Sequence, residues 1–70
     1  RVVDTNGEPL IGATIREKGG ANGTVSDIDG SFFLSVPDSA ILQVSFIGYE
    51  TVEVKVAGRA MLEISLRENA

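Results

Sequence analysis

The sequence contains no cysteine, no histidine and no tryptophan, and its only aromatic residues are three phenylalanines and one tyrosine. Without cysteine or histidine, the chain can form no disulfide and lacks the usual nitrogen and sulfur ligands of a structural zinc site. The same absences remove the thiol nucleophile and the imidazole base that many covalent catalysts use. We therefore expect no catalytic residue, no metal and no cofactor, and a fold that rests on aliphatic packing or on neighbouring domains.

Basic charge is also scarce, since six lysines and arginines stand against ten acidic residues and give a net charge of −4. The basic residues are scattered along the sequence, so they form no patch that would attract nucleic acid. No apolar run approaches the roughly 20 residues that a membrane-spanning helix requires. These patterns argue against nucleic acid as a partner and against direct insertion of this segment into a membrane.

The length of 70 residues allows one small domain, which we assign to residues 1–70. The first residues, Arg1-Val2-Val3, have the pattern of the middle of a strand. We therefore expect the chain to be a fragment of a larger protein, with its first strand truncated.

Alternation of apolar and polar residues is the dominant pattern, and it is typical of half-buried β-strands. In residues 51–56, three valines fall on one face, while Thr51, Glu53 and Lys55 fall on the other. Dense turn signals separate the alternating segments. The predicted fold is all-β, a sandwich of about seven short strands that are mainly antiparallel. The predicted strands are 1–4, 12–18, 23–27, 31–36, 40–46, 50–56 and 60–67.

Glycine, proline and aspartate mark the predicted turns. Asp27 is expected to accept hydrogen bonds from the backbone of its own turn, and Gly30 to supply a φ that a β-carbon would resist. Gly48 is expected to allow a kink, after which Tyr49 buries its ring. The six serines are expected at turn or outward strand positions. The residues expected to determine the fold are Gly7, Pro9, Gly12, Asp27, Gly30, Gly48 and Tyr49.

Three motifs occur in order along the chain. Residues 7–13 have the form G-x-P-L-x-G-A, residues 23–32 the form G-T-x-[ST]-D-x-x-G-x-F, and residues 44–49 the form V-S-[FY]-x-G-Y. Together they resemble the carboxypeptidase regulatory-like domain, a transthyretin-like, Greek-key β-sandwich. They are most similar to the copy of that domain in the N-terminal extension of SusC-like, TonB-dependent outer-membrane transporters.

The resemblance implies a non-catalytic accessory domain on the periplasmic side of the outer membrane, with a role in scaffolding or protein–protein interaction. Its partners would be the plug and barrel of its own parent chain, with the TonB energising complex as a further candidate. The parent would import glycans or other nutrients. Two alternatives stay open: a stabilising module of a secreted or surface enzyme such as a peptidase, and a small ligand-binding module.

Three further hypotheses concern exposed positions. The D-x-D-G sequence that begins at Asp27 contains part of a calcium-loop pattern, but the other positions of that pattern are not matched, so we expect no calcium site. Phe33, Ile41 and Ile47 are expected to form a small outward apolar patch that contacts another protein. The first or third strand is expected to present a free edge that could pair with an extended peptide.

Overall fold

The computed structural model describes residues 1–58 and 61–69, and these form an all-β fold in which no helix occurs. Within these ranges, no helical segment has the length and apolar character needed to cross a membrane. The strands are β1 (Val2–Asp4), β2 (Thr14–Glu17), β3 (Gly23–Val25), β4 (Ile41–Ser45), β5 (Val52–Lys55) and β6 (Ile64–Leu66).

The strands form two sheets. Four of them make an antiparallel sheet in the order β3-β2-β4-β5, while β1 and β6 make a separate parallel pair. The prediction of a mainly antiparallel, all-β fold is therefore confirmed. The parallel exception is possible because β1 and β6 lie at opposite ends of the sequence, so the intervening chain provides a crossover far longer than a hairpin turn.

One apolar core joins the two sheets. Its largest fully buried side chains come from β2 (Ile15), from β4 (Leu42 and Val44) and from the parallel pair (Val2 and Leu66). Burial of each such side chain contributes about 1.5–3 kcal/mol. The inward faces agree with the alternation in the sequence, because every second residue of β4 and of β6 is buried.

The prediction of a hydrogen-bonded strand at residues 31–36 is wrong. Its side chains alternate as expected, since Phe32, Leu34 and Val36 pack against the core while Phe33 and Ser35 are exposed. Its backbone, however, forms no ladder with any other part of residues 1–58 and 61–69. The pattern of side chains reports which face is buried, and it does not report whether a neighbouring strand is present.

The other predicted strands occur at the expected positions in the sequence, but the observed strands are shorter than predicted. The 12–18 and 50–56 predictions, for example, shrink to the four-residue strands β2 and β5. The predicted strand 60–67 contains β6, but Ala60, where it was to begin, lies outside the described residues. The third predicted strand pairs with β2, and no hairpin joins it to residues 31–36.

The two candidate free edges behave differently. On the side of β1 away from β6, Pro9 forms a bridge with Val3, and the amide of Leu10 donates to the carbonyl of Val2. The prediction of a free edge at the first strand is therefore wrong. The third strand, β3, is the last strand of the four-stranded sheet and is hydrogen-bonded on one side, to β2.

Candidate functional site

Two turns of the same design hold β1 and the end of β3 in place. In the first, Asp4 Oδ1 accepts from the amides of residues 6 and 8, at 2.8 and 3.0 Å, while its carbonyl accepts from the Gly7 amide. In the second, Asp27 Oδ1 accepts from the amides of residues 29 and 31, both at 2.9 Å, while its carbonyl accepts from the Gly30 amide. Both turns therefore read D-x-x-G-x, and sequence reasoning singled out Asp27 but missed its counterpart, Asp4.

We expect Asp27→Ala to lower the free energy of unfolding by about 1–2 kcal/mol, because two backbone amides lose a charged acceptor. Asp29→Ala is the matched control, since Asp29 lies in the same turn and no described residue donates a hydrogen bond to its carboxylate. That change should stay within about 0.5 kcal/mol. Urea unfolding of both variants checks the prediction, and equal losses would contradict it.

Ser26 is a buried polar residue next to the second turn, with 3% of its surface exposed. Its hydroxyl donates to the carbonyl of Leu10 and accepts from the amide of Ala13 at 2.9 Å. The prediction that all serines lie at turns or outward positions is wrong here. The residue joins the G-x-P-L-x-G-A and G-T-x-[ST]-D motifs, which explains why a hydroxyl side chain is needed at this position of the second motif.

The predicted turn glycines all have a left-handed backbone, with φ of +83° at Gly7, +81° at Gly12, +75° at Gly30 and +83° at Gly48. Gly30 alone among these four is also closely packed: a β-carbon there would lie 2.5 Å from the carbonyl oxygen of Val2 and 3.0 Å from Cβ of Pro9. Pro9 therefore belongs to the contact between the second turn and β1.

Tyr49 is half-buried, and its ring packs against Phe46 with a centroid separation of 5.6 Å and a tilt of 50°. The two aromatic residues close the turn that contains Gly48, where the Tyr49 amide donates to the Phe46 carbonyl at 3.0 Å. Partial burial of the phenol raises the pKa of Tyr49, and the negative charges of Glu68 and Asp4 raise it further.

The predicted contact patch is spread over separate parts of the surface. Phe33 is 88% exposed and Ile47 is 90% exposed, whereas Ile41 is half-buried in β4. Phe33 lines one surface depression, and Ile47 lines another beside Gly12. The role of all three residues in contacts with another protein stays a prediction.

The depression beside Phe33 is an apolar crevice of about 240 Å³ between residues 31–36 and residues 61–62. Leu42 and Val56 of the core are among its lining residues, and Arg1 and Met61 also line it. Met61 is 88% exposed, as is Phe33. We refer to this feature as the Phe33 crevice.

The described residues offer little for chemistry. Within residues 1–58 and 61–69, no three acidic, histidine or cysteine side chains are grouped so that they could hold a metal ion. The Asp27 carboxylate, the centre of the calcium hypothesis, already accepts two backbone hydrogen bonds. The absence of calcium binding stays a prediction. What the arrangement offers is a surface for contacts, with exposed apolar side chains and unpaired strand backbone.

A polar cluster on the outward face of the four-stranded sheet was missed by sequence reasoning. Glu53 Oε2 accepts a hydrogen bond from the side-chain amide nitrogen Nε2 of Gln43 at 3.1 Å. Glu53 Oε1 accepts a hydrogen bond from Lys18 Nζ at 3.2 Å. The hydrogen bond from Gln43 and then that from Lys18 lower the pKa of Glu53. The three residues are far apart in the sequence and meet because their segments are neighbours in the sheet. Local spacing in the sequence cannot reveal such a contact.

We expect Glu53→Gln to reduce stability at neutral pH and to have no effect in strong acid. Because folding lowers the pKa of Glu53, its contribution is present above the pKa of the unfolded carboxyl, about 4.3, and is lost as pH falls through the folded value. Denaturant unfolding from pH 7 to pH 2 measures the effect, with Glu50→Gln as an exposed control. A difference that grows on acidification would contradict the prediction.

The geometry defines a small β-domain whose motifs hold turns together. Residues 1–70 match the family described as CarboxypepD_reg-like domain. The chain belongs to that family, and the match confirms the resemblance that the three motifs suggested.

The chain is also similar to segments of much longer proteins. It is 46% identical over 68 residues to "TonB-dependent receptor SusC" of Bacteroides thetaiotaomicron, which is 97% of this chain and 7% of that receptor. It is 37% identical over 67 residues to "TonB-dependent receptor P39" of Formosa agariphila, which is 94% of this chain and 6% of that receptor. It is 43% identical over 63 residues to "TonB-dependent receptor P3" of the same organism, which is 89% of this chain and 6% of that receptor.

Proposed function

We propose that this chain is a non-catalytic accessory domain of a TonB-dependent, SusC-like receptor, and that it works as a scaffold for contacts with the rest of that receptor. The observation that supports the proposal most strongly is the similarity along almost the whole chain to one small segment of such receptors. The proposed location is the periplasmic side of the outer membrane, and the proposed cargo of the parent is a glycan or another nutrient. The TonB energising complex is a further candidate partner.

The surface of the domain supports a role in contacts. Phe33 and Met61 are each 88% exposed and line the same crevice, and neighbouring exposed apolar side chains of this kind can mark a contact surface. A role as a small-ligand site has less support, because the Phe33 crevice of about 240 Å³ is smaller than the roughly 300–1,000 Å³ of typical ligand pockets. The alternative of a module attached to an enzyme has less support too, because the relatives reported above are receptors.

The location can be tested by cysteine labelling, since this segment has no native cysteine. We expect Ile28→Cys, at a position 74% exposed, to resist a membrane-impermeant maleimide on intact cells and to react after the outer membrane is permeabilised. Val44→Cys, at a fully buried position, is the matched control and should react only after unfolding. Labelling of Ile28→Cys on intact cells would place the domain on the outer surface and contradict the proposal.

The accessory role can be tested by deletion of residues 1–70 from the full-length receptor. We expect the receptor to reach the outer membrane in normal amounts and its uptake rate to fall without being abolished. Unchanged uptake would contradict a functional contact. Loss of the receptor from the membrane would instead favour the alternative, a module that stabilises its parent.

A further inference from the structure

Two asparagine–glycine pairs occur in the chain, Asn6-Gly7 and Asn22-Gly23. Asparagine is a chemically labile residue, because the backbone amide nitrogen of the next residue can attack its side-chain carboxamide. Glycine in that next position favours the attack, since it has no β-carbon to hinder the closure of a ring. All four residues are exposed, so neither residue type nor exposure distinguishes the two pairs.

The first pair lies in the turn that Asp4 holds together. The Asn6 amide donates to Asp4 Oδ1 at 2.8 Å, and the Gly7 amide donates to the Asp4 carbonyl at 3.0 Å. The nitrogen that would attack the Asn6 carboxamide is therefore already engaged in a hydrogen bond, and the backbone on both sides of Asn6 is fixed. This turn must open before Asn6 can react.

The second pair lies where the hairpin loop enters β3, the last strand of the four-stranded sheet. The Asn22 carbonyl accepts from the Glu17 amide at 2.9 Å. Hydrogen-bonded and non-hydrogen-bonded pairs alternate along an antiparallel ladder, so the next pair, Gly23 with Arg16, is of the second kind. The Gly23 amide therefore points to the open side of β3, where no described residue accepts a hydrogen bond from it.

We propose that Asn22 is a site of spontaneous modification, at which the side-chain amide is converted slowly to an acid while Asn6 is preserved. The Gly23 nitrogen gives its proton to water and forms a bond to Cγ of Asn22. The Cγ–Nδ2 bond then breaks, and Nδ2 takes up a proton from water and leaves as ammonia. The product of this step is a five-membered succinimide ring. Water adds to either of its carbonyl groups and opens the ring to aspartate or to isoaspartate.

Water is the only co-reactant of this conversion, and no oxidation or reduction takes place. The exposure of Asn22 and Gly23 gives water access for both steps. The proposal stands on the contacts of the two asparagine–glycine pairs, and it does not depend on the proposed function.

The modification changes the edge of the sheet. Asn22 Nδ2 donates to Glu17 Oε1 at 3.1 Å, and in the aspartate product a negatively charged oxygen takes the place of that donor. Two carboxylates then repel each other where a hydrogen bond was present. The isoaspartate product also adds a methylene group to the backbone before Gly23, which displaces β3 relative to β2. We expect the β2–β3 hairpin to loosen, and faster hydrogen exchange at the Glu17 amide measures this.

Ageing of the full-length protein in water labelled with a heavy oxygen isotope tests the proposal. The new oxygen comes from solvent, so the label marks conversion during ageing and not during later digestion in ordinary water. Trypsin separates the two sites, because Asn6 falls in residues 2–16 and Asn22 in residues 19–55. We expect labelled product to accumulate about tenfold faster at Asn22, because hydrogen bonds of ordinary net strength must first be lost at Asn6.

Ageing in denaturant is the control, since it removes the turn around Asn6 and should bring the two rates together. Equal rates in the folded protein, or a faster rate at Asn6, overturn the proposal. Absence of labelled product at Asn22 over a period in which the denatured protein is converted overturns it as well.

The variant Asp4→Ala tests the cause of the selectivity. It removes the carboxylate that holds the turn around Asn6, so the rate at Asn6 should rise toward that of Asn22, whose own rate should not change. A rate at Asn6 that stays at its original value would show that the turn does not protect this residue. An equal rise at both sites would show that unfolding of the whole domain controls the reaction. Either result overturns the proposal.

Discussion

Replacement of Gly30 with alanine is expected to lower the free energy of unfolding by about 2–5 kcal/mol. Two costs add at this position. The backbone φ of +75° is left-handed, which costs an L-residue with a β-carbon about 1–2 kcal/mol. The new β-carbon would also lie 2.5 Å from the Val2 carbonyl oxygen, a clash that backbone or Pro9 must relieve at about 1–3 kcal/mol.

The twin turn provides a matched control for this substitution. Gly7 occupies the same position of the D-x-x-G-x sequence and has a φ of +83°, but nothing lies within 4 Å of a β-carbon added there. Gly7→Ala should therefore show the backbone cost alone, about 1–2 kcal/mol. Urea unfolding of both variants measures the difference. Equal losses would mean that the contact of Gly30 with β1 relaxes freely, and the steric part of the prediction would be wrong.

The second large effect is expected at Ser26. Ser26→Ala removes the hydroxyl that links the carbonyl of Leu10 to the amide of Ala13, in a site that is 3% exposed. Each buried polar group left without a partner costs about 1–3 kcal/mol, so the loss of both partners should cost about 2–6 kcal/mol. The two motifs that Ser26 joins should loosen together.

Ser35→Ala is the control for Ser26, because Ser35 is exposed and its hydroxyl has no partner among the described residues. Its effect should lie within about 0.5 kcal/mol. Denaturant unfolding gives both values, and hydrogen exchange at the Ala13 amide reports the lost bond directly. If Ser26→Ala is as stable as Ser35→Ala, a water molecule has replaced the hydroxyl and the side chain is not required.

The all-β class, the buried faces and the main turns could be predicted from the sequence because each depends on local spacing. Leu42 and Val44 alternate with polar neighbours, and that alternation alone determines their shared face. The left-handed turn at Gly30 follows from its residue type and its distance from Asp27. The three motifs also identified the family, since they occur in one order over most of the chain.

Pairing partners could not be predicted in the same way. Residues 31–36 have the alternation of a strand but no ladder within the described chain, and β1 pairs in parallel with a segment some 60 residues away. Both features depend on which strands are neighbours in a sheet, and the local spacing of residues does not determine this. Ser26 shows the same limit for the site: one serine among six is buried, and what sets it apart is a pair of backbone groups, at Leu10 and Ala13, supplied by a distant loop.

The parallel pairing of β1 with β6 has a mechanical consequence. The chain enters this pair at Arg1, beside Leu62, and leaves it past Leu66, at the opposite end of the ladder. Tension applied along the polypeptide through these two points loads the ladder in shear, so that its hydrogen bonds bear the force together. In an antiparallel pair at the same place, both loaded points would lie at one end of the ladder, so its hydrogen bonds would break one after another. The β1–β6 ladder should therefore resist tension between these two points more strongly than an antiparallel pair would.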